Sequence, residues 1–199
     1  MLIDITKKIN ESTFIYPDDP KTIIKSLYEM EKDGFRLTEL TIGLHTSTHI
    51  DFPSHFLKNG KTSSDYYDIN YFLGKVLIVG LSDFPVELDV EIDSIFIKTD
   101  NNSETFLQNY KSINKEQLNF LINNKLKFIG TDFYTIEPYN SDDFSFHKNL
   151  LKNNILIIEN LEISNIETGI YEYFIFPMKI DAVEASICRV AIRKTNNIC

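Results

Sequence analysis

Three of the four histidines in this 199-residue chain lie within the segment HTSTHIDFPSH, residues 45–55. In a straight strand His45 and His49 would stand roughly 13 Å apart, at about 3.3 Å per residue. A helical turn would bring them together, but Pro53 and the nearby β-branched residues disfavour a sustained helix. We therefore predict a bend near Thr46–Thr48 that turns both imidazole rings toward one point, in a loop built around a metal.

The segment also supplies a carboxylate and a third imidazole, so that His45, His49, Asp51 and His55 are all of ligand type. Imidazole and carboxylate suit zinc, manganese or iron, and the absence of accompanying thiolates favours a catalytic over a structural site. Pro53 keeps the preceding residue extended and directs His55 back toward the cluster. An isolated histidine is more often a surface or hydrogen-bonded core residue, but this clustering predicts a metal site.

The remaining ligands are expected from a distant segment, because three local ligands rarely complete a site. The fourth histidine, His147, precedes the apolar run at residues 155–158, and Glu159 interrupts that run. A carboxylate within a buried strand is costly unless it is paired, hydrogen-bonded or bound to a metal. We predict that His147 and Glu159 converge on the histidine cluster; the alternative places Glu159 at the solvent-exposed end of its strand.

Hydrophobic patterning predicts a mixed α/β fold with a curved or barrel-like sheet. Asn114 can cap a helix over residues 113–125, with Gln117 at the capping-box position, and a second helix is predicted at 145–153 with a single turn at 68–72. Short β-branched or aromatic runs bounded by turn residues predict eight strands, at residues 21–30, 36–44, 75–81, 94–99, 126–133, 154–161, 171–180 and 186–193.

Composition limits the class of partner. Twenty Lys and Arg against 29 Asp and Glu give a formal net charge of −9, which disfavours nucleic acid and anionic membranes as partners and leaves a small-molecule substrate. No long apolar segment indicates export or membrane spanning. Cys188 and Cys199 form no C-x-x-C motif, as is typical of a reducing compartment. We expect a cytoplasmic protein whose residues 1–199 form a single domain.

Two segments together resemble the metal-dependent cyclase and kynurenine formamidase (arylformamidase) family. HTSTHIDFPSH is similar to the family signature H-T-G-T-H-x-D-x-P-x-H, and the segment from His147 to Asn160 is similar to its H-x-x-L-L…I-x-I-x-E-N-L motif. Weaker similarity at residues 4–20 and 174–192 extends the resemblance over nearly the whole chain. It implies the family's swivelling β/β/α fold with flanking helices, assembled as a homodimer or homotetramer.

The resemblance implies a metal-binding role for five of the matching residues. His45 and His49 would bind a first ion, and Asp51 would bridge it to a second. His147 would bind the second ion, and Glu159 would touch both. The implied cofactor is one or two divalent ions, zinc in the first place and manganese as the alternative.

Other matching positions carry the acid–base chemistry and the pocket. His55 would be the proton donor and acceptor, because an ordinary histidine pKa of about 6.5 suits proton transfer near neutral pH. Tyr16, where the family commonly has Trp, would line the substrate pocket. Ser47 and Asp18 stand where the family has Gly, so a bend that favours positive φ is made by a residue with a Cβ.

These features predict an enzyme that hydrolyses an amide bond, most directly an aryl formamide such as N-formylkynurenine. One alternative is the same metal cradle acting on a different substrate, either a cyclic amide such as isatin or another acyl compound. A second is a metal-stabilised binding protein without turnover, which would hold its ion in a closed coordination shell. The chain contains no glycine-rich phosphate loop and no G-x-S-x-G nucleophile motif.

Overall fold

The computed structural model describes residues 1–84, 91–101, 109–139, 141 and 143–195. Their regular elements are, in chain order, β1 (Ile3–Asp4), β2 (Ile23–Tyr28), α1 (Met30–Asp33), β3 (Leu37–Thr41), β4 (His49–Asp51), β5 (Leu73–Gly80), β6 (Ser94–Lys98), α2 (Lys115–Asn123), β7 (Phe128–Thr131), α3 (Ser145–Lys152), β8 (Leu156–Glu159), β9 (Gly169–Pro177) and β10 (Ala185–Lys194). Short 3-10 turns occur at Pro53–His55, Ser63–Tyr66, Ile69–Phe72 and Leu81–Asp83.

Seven strands close into a mixed barrel in the order β10, β4, β8, β7, β6, β5, β9, with β9 pairing back to β10. Strands β5 to β8 run parallel to one another, and the other contacts around the ring are antiparallel. Strand β1 pairs with the far end of β10. The predicted α/β class with a curved, barrel-like mixed sheet and flanking helices is therefore confirmed.

Three of the four parallel strands, β6 to β8, are buried on both faces. Every residue of β7 and β8 is buried, as are the first four residues of β6. Helix α3 connects β7 to β8 and packs on both β8 and α2. A parallel strand covered by a helix on one face and barrel interior on the other consists of continuous apolar residues, which is why these segments were recognisable in the sequence.

Both predicted helices are present with shorter bounds. Helix α2 begins with the expected reciprocal capping box, in which Asn114 and Gln117 each accept the other's backbone N–H at 2.9 Å. The single turn predicted at 68–72 is the 3-10 turn Ile69–Phe72. Within the described residues, no helix is both long enough and apolar enough to cross a membrane.

Two of the predicted strands lie outside the barrel. Strands β2 and β3 form a separate antiparallel hairpin, and all of their residues are exposed. The one-turn helix Met30–Asp33 at the hairpin's tip was not predicted, and it overlaps the end of the segment assigned to a strand. The sequence pattern correctly predicts strands here, but it does not indicate whether their apolar residues are buried or exposed.

Candidate metal centre

A bend before β4 brings the first histidines together, as predicted. Ser47 adopts a left-handed backbone conformation with φ of 60°. Its hydroxyl donates a 3.0 Å hydrogen bond to the carbonyl of Lys7, and the N–H of Thr46 donates to the carbonyl of Gly43. The ring centroids of His45 and His49 consequently lie 5.0 Å apart.

The residues that follow the bend form a strand, so the prediction of a loop here is wrong. Alternate residues of a strand face the same side, and β4 therefore directs His49 and Asp51 to one face and the fully buried Ile50 to the other. β4 lies between β10 and β8, and His49 is the direct pairing partner of Glu159 on β8. Strand pairing thus positions one half of the site against the other.

The first group of ligand-type side chains comprises His45, His49 and Asp51. Asp51 Oδ1 lies 3.0 Å from His45 Nδ1 and 3.5 Å from His49 Nε2. Despite these short distances, neither oxygen of Asp51 makes a hydrogen bond of acceptable geometry within the described part of the chain, and His49 Nε2 also lacks one. Both residues are 1% exposed, so water is largely excluded from these atoms.

The second group comprises Asp51, His147 and Glu159, so that Asp51 belongs to both. His147 Nε2 lies 3.3 Å from Glu159 Oε1, and Glu159 Oε2 lies 3.6 Å from His49 Nε2. Glu159 is the last residue of β8, not an interior residue, but it is only 5% exposed. The predicted convergence of the two segments is therefore present in the structure. The metal-binding roles of these residues remain predictions.

In His45, His49 and His147, the ring nitrogen that points away from the other ligand-type side chains lies close to an oxygen atom. His49 Nδ1 lies 2.8 Å from the carbonyl oxygen of Ser47, and His147 Nδ1 lies 2.7 Å from Glu137 Oε2. His45 Nε2 lies 3.5 Å from Glu184 Oε1. Glu137 and Glu184 were not predicted to belong to the site. Neither follows a periodic pattern or shares a short motif with the histidine that it contacts.

His55 and Tyr16 lie at the wall of a cavity of about 260 Å³ that the ligand-type residues also line, and their roles remain predictions. The His55 ring stands 4.2 Å from that of His45. Phe52 before Pro53 is extended, and the N–H of His55 donates to the Phe52 carbonyl, in agreement with the predicted return of the chain. Aromatic rings complete the wall, namely those of Phe56, Tyr134 and Phe144.

Without any bound metal, the surrounding protein groups give three of the histidines different pKa values. Burial lowers the pKa of His45, but Asp51, Glu159 and Glu184 outweigh it and raise this pKa to about 9. Burial also lowers the pKa of His147, and its hydrogen bonds to Glu137 and Glu159 reverse this and raise it to about 10. For His55, burial together with the neighbouring His45 and His147 lowers the pKa to about 4. The carboxylates of the cluster therefore stabilise a positive charge on His45 and His147, whereas His55 is neutral at pH 7.

Comparison with known proteins identifies the family. The family model Cyclase matches residues 3–138. The kynurenine formamidase of Bacillus cereus is 26% identical over 202 residues, which cover 96% of each chain. A solved structure described as a potential metal-dependent hydrolase with cyclase activity superimposes with a TM-score of 0.76 at 21% identity, covering 98% of this chain and 99% of the other.

An isatin hydrolase bound to the product analogue thioisatinate has the same fold, with a TM-score of 0.79 at 18% identity, covering 98% of this chain and 92% of the other. The resemblance of the two sequence motifs, the family match over more than half of the chain and the barrel lead to one conclusion: this protein belongs to the Cyclase family.

Proposed function

We propose that this protein is a metal-dependent amidohydrolase that cleaves a carbon–nitrogen bond other than a peptide bond, with an aryl formamide such as N-formylkynurenine as its substrate. The observation that carries the proposal is the buried set of ligand atoms without hydrogen-bond partners. Both carboxylate oxygens of Asp51 and Nε2 of His49 are buried without a hydrogen-bond partner in the described residues, and both side chains line the aromatic cavity.

These atoms fit a divalent cation. The buried carboxylate of Asp51 faces two imidazoles but accepts no hydrogen bond of acceptable geometry from them, and a bound cation would offset the cost of burying it. His45, His49 and Asp51 would hold one ion, while Asp51, His147 and Glu159 would hold another. Imidazole nitrogen and carboxylate oxygen suit zinc and manganese. When bound, the cations supply a Lewis acid that polarises the substrate carbonyl and makes a water more acidic.

His55 supplies the acid–base step. Its environment keeps it neutral at pH 7, so it can accept the proton released when water attacks the carbonyl carbon. As the carbon–nitrogen bond breaks, the resulting imidazolium delivers that proton to the departing nitrogen, which leaves as an amine. The position of His55 at the cavity wall, 4.2 Å from the His45 ring, supports this role.

The cavity walls favour an aromatic substrate. Tyr16, Phe56, Tyr134 and Phe144 surround the carboxylate and histidine cluster, and aromatic side chains stack or pack edge-on against a flat ring. The B. cereus relative carries the name kynurenine formamidase, which agrees with an aryl formamide. The likeness to an isatin hydrolase that holds a bicyclic product analogue favours a second candidate, hydrolysis of a cyclic aryl amide.

The experiment starts with protein stripped of metal by a chelator and reloaded with zinc or manganese, with bound metal measured in each sample. Each form is then assayed with N-formylkynurenine and with isatin. Metal-dependent formation of kynurenine would support the first candidate, and formation of isatinate the second. Tight metal binding without turnover of either compound, or of a wider panel of aryl amides, would favour a binding protein over an enzyme.

A further inference from the structure

Glu137 is a buried carboxylate on which four donors converge. Its Oε1 accepts hydrogen bonds from the Ser141 hydroxyl at 2.7 Å and from the backbone N–H of Phe146 at 3.1 Å. Its Oε2 accepts from the backbone N–H of His147 at 3.1 Å and lies 2.7 Å from His147 Nδ1. Glu137 is 3% exposed, so these protein groups, not water, fix the position of its carboxylate.

The two backbone N–H groups determine which nitrogen of His147 carries the proton. The Ser141 hydroxyl and two backbone N–H groups all donate to this carboxylate and favour its ionised form, which has no proton to donate. The short contact between Oε2 and His147 Nδ1 therefore requires a proton on Nδ1. The opposite nitrogen, Nε2, is the one that faces Glu159 in the second ligand group.

We propose that Glu137 is the positioning residue of this second half-site: it holds the proton of His147 on Nδ1 and so keeps the Nε2 lone pair directed at the cation. The inference rests on the proposed function, since it concerns the metal assigned there. Carboxylates that hold the outer nitrogen of a metal-binding histidine fix its tautomer and ring orientation, and removing them typically weakens metal binding by 10- to 100-fold.

Glu137 also has a structural task that the test must separate from the first. Phe146 and His147 are the second and third residues of α3, so the same carboxylate accepts the free N–H groups of the helix N-terminus. Loss of such a cap costs about 0.5–2 kcal/mol of stability. A purely structural role would lower the melting temperature without changing metal affinity in the folded protein.

The test compares Zn²⁺ affinity, measured by competition with a chromophoric chelator, between the wild type and Glu137→Gln. In glutamine an NH₂ group replaces one of the two carboxylate oxygens. Because each oxygen of Glu137 faces two donors, the glutamine side chain cannot accept all four hydrogen bonds. We expect at least one of the two Zn²⁺ ions to bind 10- to 100-fold more weakly. The matched control is Asp132→Asn, which makes the same chemical change at a carboxylate that accepts hydrogen bonds from Thr99 and should leave Zn²⁺ affinity unchanged.

A second variant, Glu137→Asp, retains the charge on a side chain shorter by one methylene, and its affinity should fall between those of the wild type and Glu137→Gln. A third measurement needs no substitution: in the Zn²⁺-loaded wild type, ¹H–¹⁵N NMR should show a slowly exchanging proton on His147 Nδ1.

The outcomes distinguish the two proposals. If the wild type binds zinc and both Glu137 variants bind it equally well, or if the NMR proton lies on Nε2, the positioning role is wrong and the proposed function stands. If the wild type itself binds no divalent metal, the proposed function fails, and this inference fails with it.

Discussion

Asp51 is the position at which a single substitution tests the whole candidate site, because it is the residue shared by both ligand groups. Asp51→Asn keeps the shape of the side chain and removes the charge. It also places an NH₂ group within reach of ring nitrogens that now lie 3.0 and 3.5 Å from Oδ1. We expect this variant to lose both ions, whereas removal of a ligand from one group would leave the other group intact.

The magnitude follows from binding linkage. A ligand that binds only the folded state at 100 times its dissociation constant stabilises that state by about 2.7 kcal/mol. For a chain of this size, each kcal/mol corresponds to about 2–4 °C in melting temperature. Two zinc ions, each at 100 times its dissociation constant, should therefore raise the melting temperature of the wild type by about 11–22 °C, and zinc should leave that of Asp51→Asn unchanged.

The assay is thermal unfolding of chelator-stripped protein over a series of zinc concentrations, followed by reversal with excess chelator. Asp132→Asn is again the matched control, since the same carboxylate-to-amide change outside the ligand groups should preserve the zinc-dependent shift. A full wild-type shift in Asp51→Asn would refute the assignment of Asp51 as the shared ligand. A half-sized shift would restrict it to a single ion.

Four further outcomes are expected. His55→Ala should keep its metal and lose about 10²–10⁴-fold in turnover, whereas His49→Ala should lose turnover and also the ion of its own ligand group; equal metal loss in the two variants would show that His55 is a ligand. Gly130→Ala should lose about 1–3 kcal/mol in denaturant unfolding at unchanged metal affinity, because its methyl would stand 2.5 Å from a phenylalanine ring carbon. Ser47→Ala should be less stable than Ser47→Gly by about 1–2 kcal/mol at φ of 60°, and the reverse order would contradict the left-handed bend. We propose the exposed apolar residues of the hairpin as the contact of a homo-oligomer, so Leu40→Glu should reduce the mass measured by light scattering relative to the wild type; an unchanged mass would exclude the hairpin as that contact.

Six of the seven barrel strands could be predicted because they contain apolar, β-forming runs such as residues 155–158, whereas β4 lies in the segment that was predicted to be a loop. The order of the strands around the ring could not be predicted, because hydrogen-bond partners such as β4 and β8 are separated by about a hundred residues and share no local signal. In the β2–β3 hairpin, the strands could be predicted but their exposure could not. Ile24 and Leu40 have the same β-forming character as core residues, yet they are 41% and 52% exposed, since apolarity alone does not specify a covering surface.

The candidate ligands could be predicted from the sequence because geometry leaves few ways to use three histidines in eleven residues. The residue pattern alone does not assign a role to each histidine: the family resemblance implies those roles, and their chemistry depends on what the fold places beside each ring. His147 is held by Glu137, ten residues earlier, through a contact that exists only once α3 has formed. His55 has the same side chain, but burial and two neighbouring imidazoles lower its pKa to about 4, well below the usual value of about 6.5. The same imidazole side chain is therefore a candidate ligand at one position and a candidate base at another, because the groups around the ring differ.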